Sequence, residues 1–133
     1  MALTVEDKLT IHETLTQLYL ELDGHRPDGF ASFFTADGVF HAYGEFKGPA
    51  AIAGFIKEHI RKGNEDHARH LLTNFDVREV EGSTVIRGYV TKIKLEPAPI
   101  TIIAYAGLQA RVTKDGGKWR ISRLELSITN SPA

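Results

Sequence analysis

TVIRGYVTKIKL (residues 84–95) and ITIIAYAGLQARV (residues 100–112) decide the fold. Both alternate apolar and polar positions with a period of two, and both are rich in β-branched and aromatic residues, which is the pattern of long strands. RHLLTNFDVREV (69–80) before them and KWRISRLELSI (118–128) after them read the same way. Glu81-Gly82-Ser83 and Lys114-Asp115-Gly116-Gly117 supply the hairpin connections. Pro97 and Pro99 break the middle one, where a ladder donor would be wasted. The second half of the chain is therefore expected to be a meander of four long antiparallel strands.

The first half has a different period. Val5, Leu9, His12, Leu15, Leu18, Tyr19 and Leu22 fall near one helical stripe, opened by a Thr4/Asp7 capping box and stopped by Gly24 and Pro27. A short helix is expected over Asp28–Phe34, a turn over Thr35-Ala36-Asp37-Gly38, and a short strand over Val39–Ala42. Gly48-Pro49 starts a third helix whose apolar face is Ile52, Phe55, Ile56 and Ile60, ending near Gly63. Three helices followed by strands describe an α+β fold, with the helices on the concave side of a curled sheet and a pocket between the first helix and that sheet. The 133 residues suit one domain, 1–133.

Composition excludes several functions. Sixteen basic against seventeen acidic side chains leave a charge of −1, without the surplus that a nucleic-acid surface needs. The absence of cysteine removes thiol nucleophiles, disulfides and zinc-thiolate sites. Signal-peptide and membrane-span patterns are missing, so a cytoplasmic protein without membrane or nucleic-acid partners is expected. HExxH, EF-hand, GxSxG, P-loop and dinucleotide patterns are absent, so neither metal nor cofactor is expected. What remains is acid–base chemistry.

The order of motifs resembles the SnoaL-like, nuclear-transport-factor-2-like family across almost the whole chain. The likeness rests on Leu22-Asp23-Gly24 with the Asp28-Gly29-Phe30 helix, Phe33-Phe34-Thr35-Ala36-Asp37-Gly38-Val39-Phe40, Gly48-Pro49, Arg69-His70-Leu71-Leu72-Thr73-Asn74 and Trp119-Arg120-Ile121. The resemblance implies a cone-shaped α+β fold. Members include scytalone dehydratase, steroid isomerase, polyketide cyclases, small subunits of ring-hydroxylating dioxygenases, and non-catalytic binding proteins. The helix-end Asp with a strand-start His is most similar to the dehydratase branch, where the pair orient one another and move a proton on a small cyclic substrate. This chain departs from that branch in the strand after Thr84, which offers Tyr89 and no second histidine.

The resemblance and the residues together nominate Asp23 and His70 as catalytic. Asp is unfavourable beside a helix C-terminus, so Asp23 calls for a cationic or histidine partner. Strand alternation groups His70, Leu72 and Asn74 on one face, with Leu71, Thr73 and Phe75 opposite. His41 and Tyr43 on the short strand, Phe55, Leu72, Asn74, Tyr89 and Tyr105 make up the expected substrate wall. His12 reads as a core residue, while His25, His59 and His67 read as solvent-facing. The leading expectation is a cofactor-independent lyase or isomerase acting on a small, largely apolar ring compound. A non-catalytic ligand-binding module and a structural subunit of the dioxygenase type are the alternatives. Finally, Ala104, Ala106, Leu108, Ala110 and Val112 form an apolar strip with no helix assigned to it, from which a homodimer through the sheet is expected.

Overall fold

A computed structural model describes residues 2–130. The element order is α1 (Val5–Asp23), α2 (Pro27–Ala31), β1 (Phe34–His41), β2 (Glu45–Lys47), α3 (Pro49–Arg61), β3 (Ala68–Val80), β4 (Ser83–Lys94), β5 (Thr101–Asp115) and β6 (Lys118–Asn130). The strands form one sheet in the order β2-β1-β6-β5-β4-β3. The α+β class and the four long strands are those read from the sequence.

α1 begins where its capping box places it. Thr4 Oγ1 accepts the Asp7 N–H at 2.9 Å, and Asp7 Oδ2 accepts the Thr4 N–H at 3.1 Å. Its buried stripe is Ile11, Leu15, Leu18, Tyr19 and Leu22, while Val5 and Leu9 point to solvent. The expected stripe thus fits the helix from Ile11 onward and misses its start, where Val5 and Leu9 are exposed. α2 stops at Ala31, short of the expected Phe34, because the chain has already joined the sheet: the Ile121 N–H donates to the Phe33 carbonyl at 2.8 Å.

Three details of the sheet differ from the sequence reading. β1 runs parallel to β6, so the sheet is mixed, and a short sixth strand, β2, pairs with β1. The expected Thr35–Gly38 turn lies inside β1 as an irregularity of register between Phe34 and Val39. Gly38 fits there because a Cβ would stand 3.0 Å from the Ile121 and Thr35 carbonyl oxygens.

The third detail reverses a face. The strip on β5 is not on the outside of the sheet: Ala106, Leu108, Ala110 and Val112 are buried in the core. Alternation separates two faces but does not say which one the helices take. They take this one, because the facing positions of β4 and β6 (Ile86, Val90, Leu124) are apolar too. The outer face instead carries exposed Leu71, Tyr89 and Tyr105. Among the described residues no helix is long and apolar enough to cross a membrane.

β3 also breaks its own alternation. Thr73 pairs with Tyr89 and Asp76 with Arg87, so Asn74 and Phe75 together oppose Gly88. This two-against-one arrangement is a β-bulge, with Asn74 in the left-handed region at φ 58°. Ala68, His70 and Leu72 face the helices before the bulge, and Phe75 and Val77 after it. Phe75 turns inward to meet the His12 ring edge-on at 5.9 Å. Gly88 makes this possible, since a Cβ there would sit 1.8 Å from Phe75 Cδ1.

Candidate active site

Asp23 is the last residue of α1, and His70 is the second inward-facing residue of β3. Asp23 Oδ1 lies 2.7 Å from His70 Nδ1, and Asp23 Oδ2 accepts the His70 backbone N–H at 3.3 Å. Both side chains are buried. Placing a carboxylate at a helix C-terminus costs about 0.3–1 kcal/mol. A hydrogen bond to a charged group returns about 1.5–3 kcal/mol, so the two donors from β3 outweigh the dipole. Because a carboxylate only accepts, His70 Nδ1 carries the proton and Nε2 is left with its lone pair.

That nitrogen opens toward a cavity between α1, α3 and the sheet. The cavity holds about 550 Å³ of empty space, including its open mouth. Its walls are mostly apolar, with Leu22, Phe30, Phe40, Phe55, Val90 and Leu126 among them. The polar groups converge at one end: Tyr19, His59, Glu65, His70 and Lys92.

Glu65 comes from the loop between α3 and β3 and is 2% exposed. Its Oε2 binds Lys92 Nζ at 2.5 Å and stands 3.1 Å from His59 Nε2. The Asn64 amide contacts His59 Nδ1 at 3.2 Å, which leaves Nε2 to carry the proton toward Glu65. The His25 ring fastens the loop through the Glu65 carbonyl at 3.0 Å. Burial pushes the Glu65 carboxyl up, but the His59 hydrogen bond, the Lys92 charge and, when its ring is protonated, the His70 charge more than offset it. The group lies below the ordinary glutamate value. Glu65 Oε1 is 3.9 Å from His70 Nε2 and, among the described residues, has no hydrogen-bond partner.

The Tyr19 ring lies 5.1 Å from the His70 ring, and its hydroxyl is likewise buried without a partner. Burial pushes the Tyr19 phenol up, and the nearby carboxylates of Glu65 and Asp23 push it further, so it stays protonated. Each unpaired buried group costs about 1–3 kcal/mol. Both residues line this one cavity.

The expected substrate wall divides. Phe55 and Tyr43 border the cavity, and Phe55 stacks on Phe46 at 4.4 Å and on His59 at 5.5 Å. The exposed Tyr43 hydroxyl is spent on Asn130, at 3.2 Å. Tyr105 touches the cavity's edge, but its ring leans on Tyr89, 5.8 Å away, and is exposed with it. Leu72 faces inward yet packs against the core, outside the cavity lining. His41, Asn74 and Tyr89 lie together on the outer face of the sheet. For Asn74 the cause is the bulge. For His41 and Tyr89 it is parity, since their neighbours Phe40 and Val90 take the inward positions.

The matching profile is that of the SnoaL-like domain, over residues 3–125. The chain belongs to the SnoaL-like family. No curated protein sequence matches it. Solved structures similar to this SnoaL-like chain include a cystatin-like protein of unknown function from Nostoc punctiforme, with 21% identity and a TM-score of 0.86 over 97% of this chain and 96% of that one. A nuclear-transport-factor-2-like protein from Novosphingobium aromaticivorans is 18% identical, with a TM-score of 0.84 over 97% and 86% of the two chains. Another protein from that organism, provisionally named a scytalone dehydratase, is 20% identical, with a TM-score of 0.76 over 97% and 90%. At these identities the likeness is one of fold.

Within this SnoaL-like cavity, four polar residues were not legible as site residues. Tyr19 sits in the helical stripe like any core aromatic. Glu65 and His59 lie in a charged loop and at a helix end, which read as solvated. Lys92 carried a signal: it shares inward parity with Ile86 and Val90, and a lysine on the buried side of a strand needs a partner. It stands directly across the ladder from His70, in the strand where the family resemblance implies a second histidine.

Proposed function

We propose that this SnoaL-like protein is a cofactor-independent lyase or isomerase in which His70 removes a proton from carbon beside the carbonyl of a small, largely apolar ring compound. The observation that carries this reading is the 2.7 Å contact of His70 Nδ1 with Asp23, which leaves Nε2 free at an apolar cavity. Asp23 holds the tautomer and stabilises the imidazolium once Nε2 has taken the proton. The C–H electron pair moves into the ring as an enolate, whose oxygen is within the reach of a protonated phenol if it lies beside Tyr19. Return of the proton to a different carbon gives isomerisation. Loss of a neighbouring hydroxyl, which takes that proton and leaves as water, gives dehydration.

The family context supports the class of chemistry and not the substrate, because sites of this fold are built separately on a shared frame. The cavity's mostly apolar walls favour a small, largely apolar ligand. A thermal-shift screen of cyclic ketones and hydroxy-ketones identifies binders, and their turnover is then compared in wild type and His70→Ala. Conversion by wild type and not by His70→Ala supports the proposal. Tight binding with no conversion by either protein transfers it to a ligand-binding module.

A further inference from the structure

Beyond the Asp23–His70 pair, the geometry points to Glu65 as a specificity-determining residue that selects neutral ligands bearing a hydroxyl group and turns away carboxylates. This inference rests on the cavity being the ligand site, as in the preceding reading, and concerns what it admits.

Three observations lead there. Glu65 Oε2 is held by Lys92 at 2.5 Å and His59 at 3.1 Å, while the buried Oε1, on a residue that lines the cavity, has no hydrogen-bond partner among the described residues. His70 Nε2 stands 3.9 Å from Oε1, and the Asp23 contact at Nδ1 leaves it without a proton in the neutral ring. With the His70 ring neutral, two acceptors stand 3.9 Å apart at the polar end of the cavity, and neither can satisfy the other. A ligand O–H can satisfy one member of the pair, because it supplies a missing donor. The Tyr19 hydroxyl, also unpartnered, can then donate to the same ligand oxygen.

Lys92 does not reverse this preference. Its ammonium is committed to Glu65 Oε2 and to the Asn64 carbonyl, at 2.7 Å, so no free cation is offered to an anion. A carboxylate would meet the unpaired Glu65 oxygen lone pair to lone pair. The site discriminates partly by that repulsion.

The test uses β-naphthol, its methyl ether and β-naphthoate as probes of one ring size, with dissociation constants measured by calorimetry at neutral pH. Wild type should bind β-naphthol about ten- to a hundredfold more tightly than either of the other two. Glu65→Gln, which removes the negative charge and releases Lys92, should shift the preference toward β-naphthoate, with circular dichroism checking that it is folded. Equal affinities in wild type, or no binding of β-naphthol at its solubility limit, overturn the inference whether or not the variant folds. So does a folded Glu65→Gln with unchanged preferences. The readout is binding alone, so it is separable from the catalytic reading. Discrimination without proton transfer would sink only the latter, and proton transfer without discrimination only the former.

Discussion

Lys92 stands directly opposite His70 on the neighbouring strand, and the two side chains reach the two oxygens of one carboxylate. The ammonium is 2.5 Å from Glu65 Oε2, and the imidazole Nε2 is 3.9 Å from Oε1. A buried carboxylate so placed is a charge that the fold keeps only while its partners are present. Stability and the site's electrostatics are therefore tied to the same residue.

The acid limb of stability should show this. The folded-state pKa of Glu65 is depressed below its ordinary value of 4.5. The sign follows from linkage: its stabilising contribution is complete above pH 4.5 and is lost as pH falls through the folded value. The melting temperature of wild type should drop as pH is lowered from about 5, and Glu65→Gln should flatten that part of the curve. Parallel curves for the two proteins would contradict this.

Asp23→Asn tests the positioning of the imidazole. Asn keeps the shape but can present its amide N–H to Nδ1, which favours the wrong tautomer. Proton-transfer activity should fall by roughly two to four orders of magnitude, with the melting temperature changed far less than activity. Nitrogen-15 NMR should show His70 protonated at Nδ1 in wild type and altered in the variant. An unchanged tautomer with unchanged activity would make Asp23 a structural cap alone.

Gly88→Ala tests the bulge. The new methyl would occupy the space of the Phe75 ring, 1.8 Å from Cδ1, and overpacking of that kind costs about 1–3 kcal/mol. Phe75→Ala in the same chain should remove part of the added penalty, since the two groups compete for one volume. Denaturant unfolding of the four members of the cycle measures this. Full additivity would mean that the clash is relieved elsewhere.

We also propose that two copies pair through the outer face of the sheet. The β5 strip is core, and what lies exposed instead is the cluster of Leu71, Tyr89 and Tyr105, with Ile102 on the same strand as Tyr105. Light scattering at micromolar concentration should give a dimer, and Tyr89→Glu should weaken it. A monomeric wild type would contradict the proposal.

Much of this architecture is legible in the sequence, and the losses have physical causes. The capping box, the change of period after Gly63 and the hairpin glycines place most elements, because each is decided by local backbone chemistry. The Asp23–His70 contact joins residues 47 apart in sequence. Its partners come from the family resemblance and the mismatch of Asp with the helix dipole. Asn74 goes to the wrong face because a bulge adds one residue and inverts everything after it, and only Gly88 on the next strand hints at that. Glu65 and His59 are missed because polar residues in a loop look solvated until tertiary packing buries them.

The central claim is that His70 is the base that takes a proton from carbon. Deuterium incorporation beside the carbonyl of α-tetralone in heavy water, followed by proton NMR, tests it without requiring the natural substrate. The account predicts exchange accelerated by wild type and slowed by about two to four orders of magnitude in His70→Ala. Equal acceleration by both proteins, or none by wild type with α-tetralone bound, would contradict it.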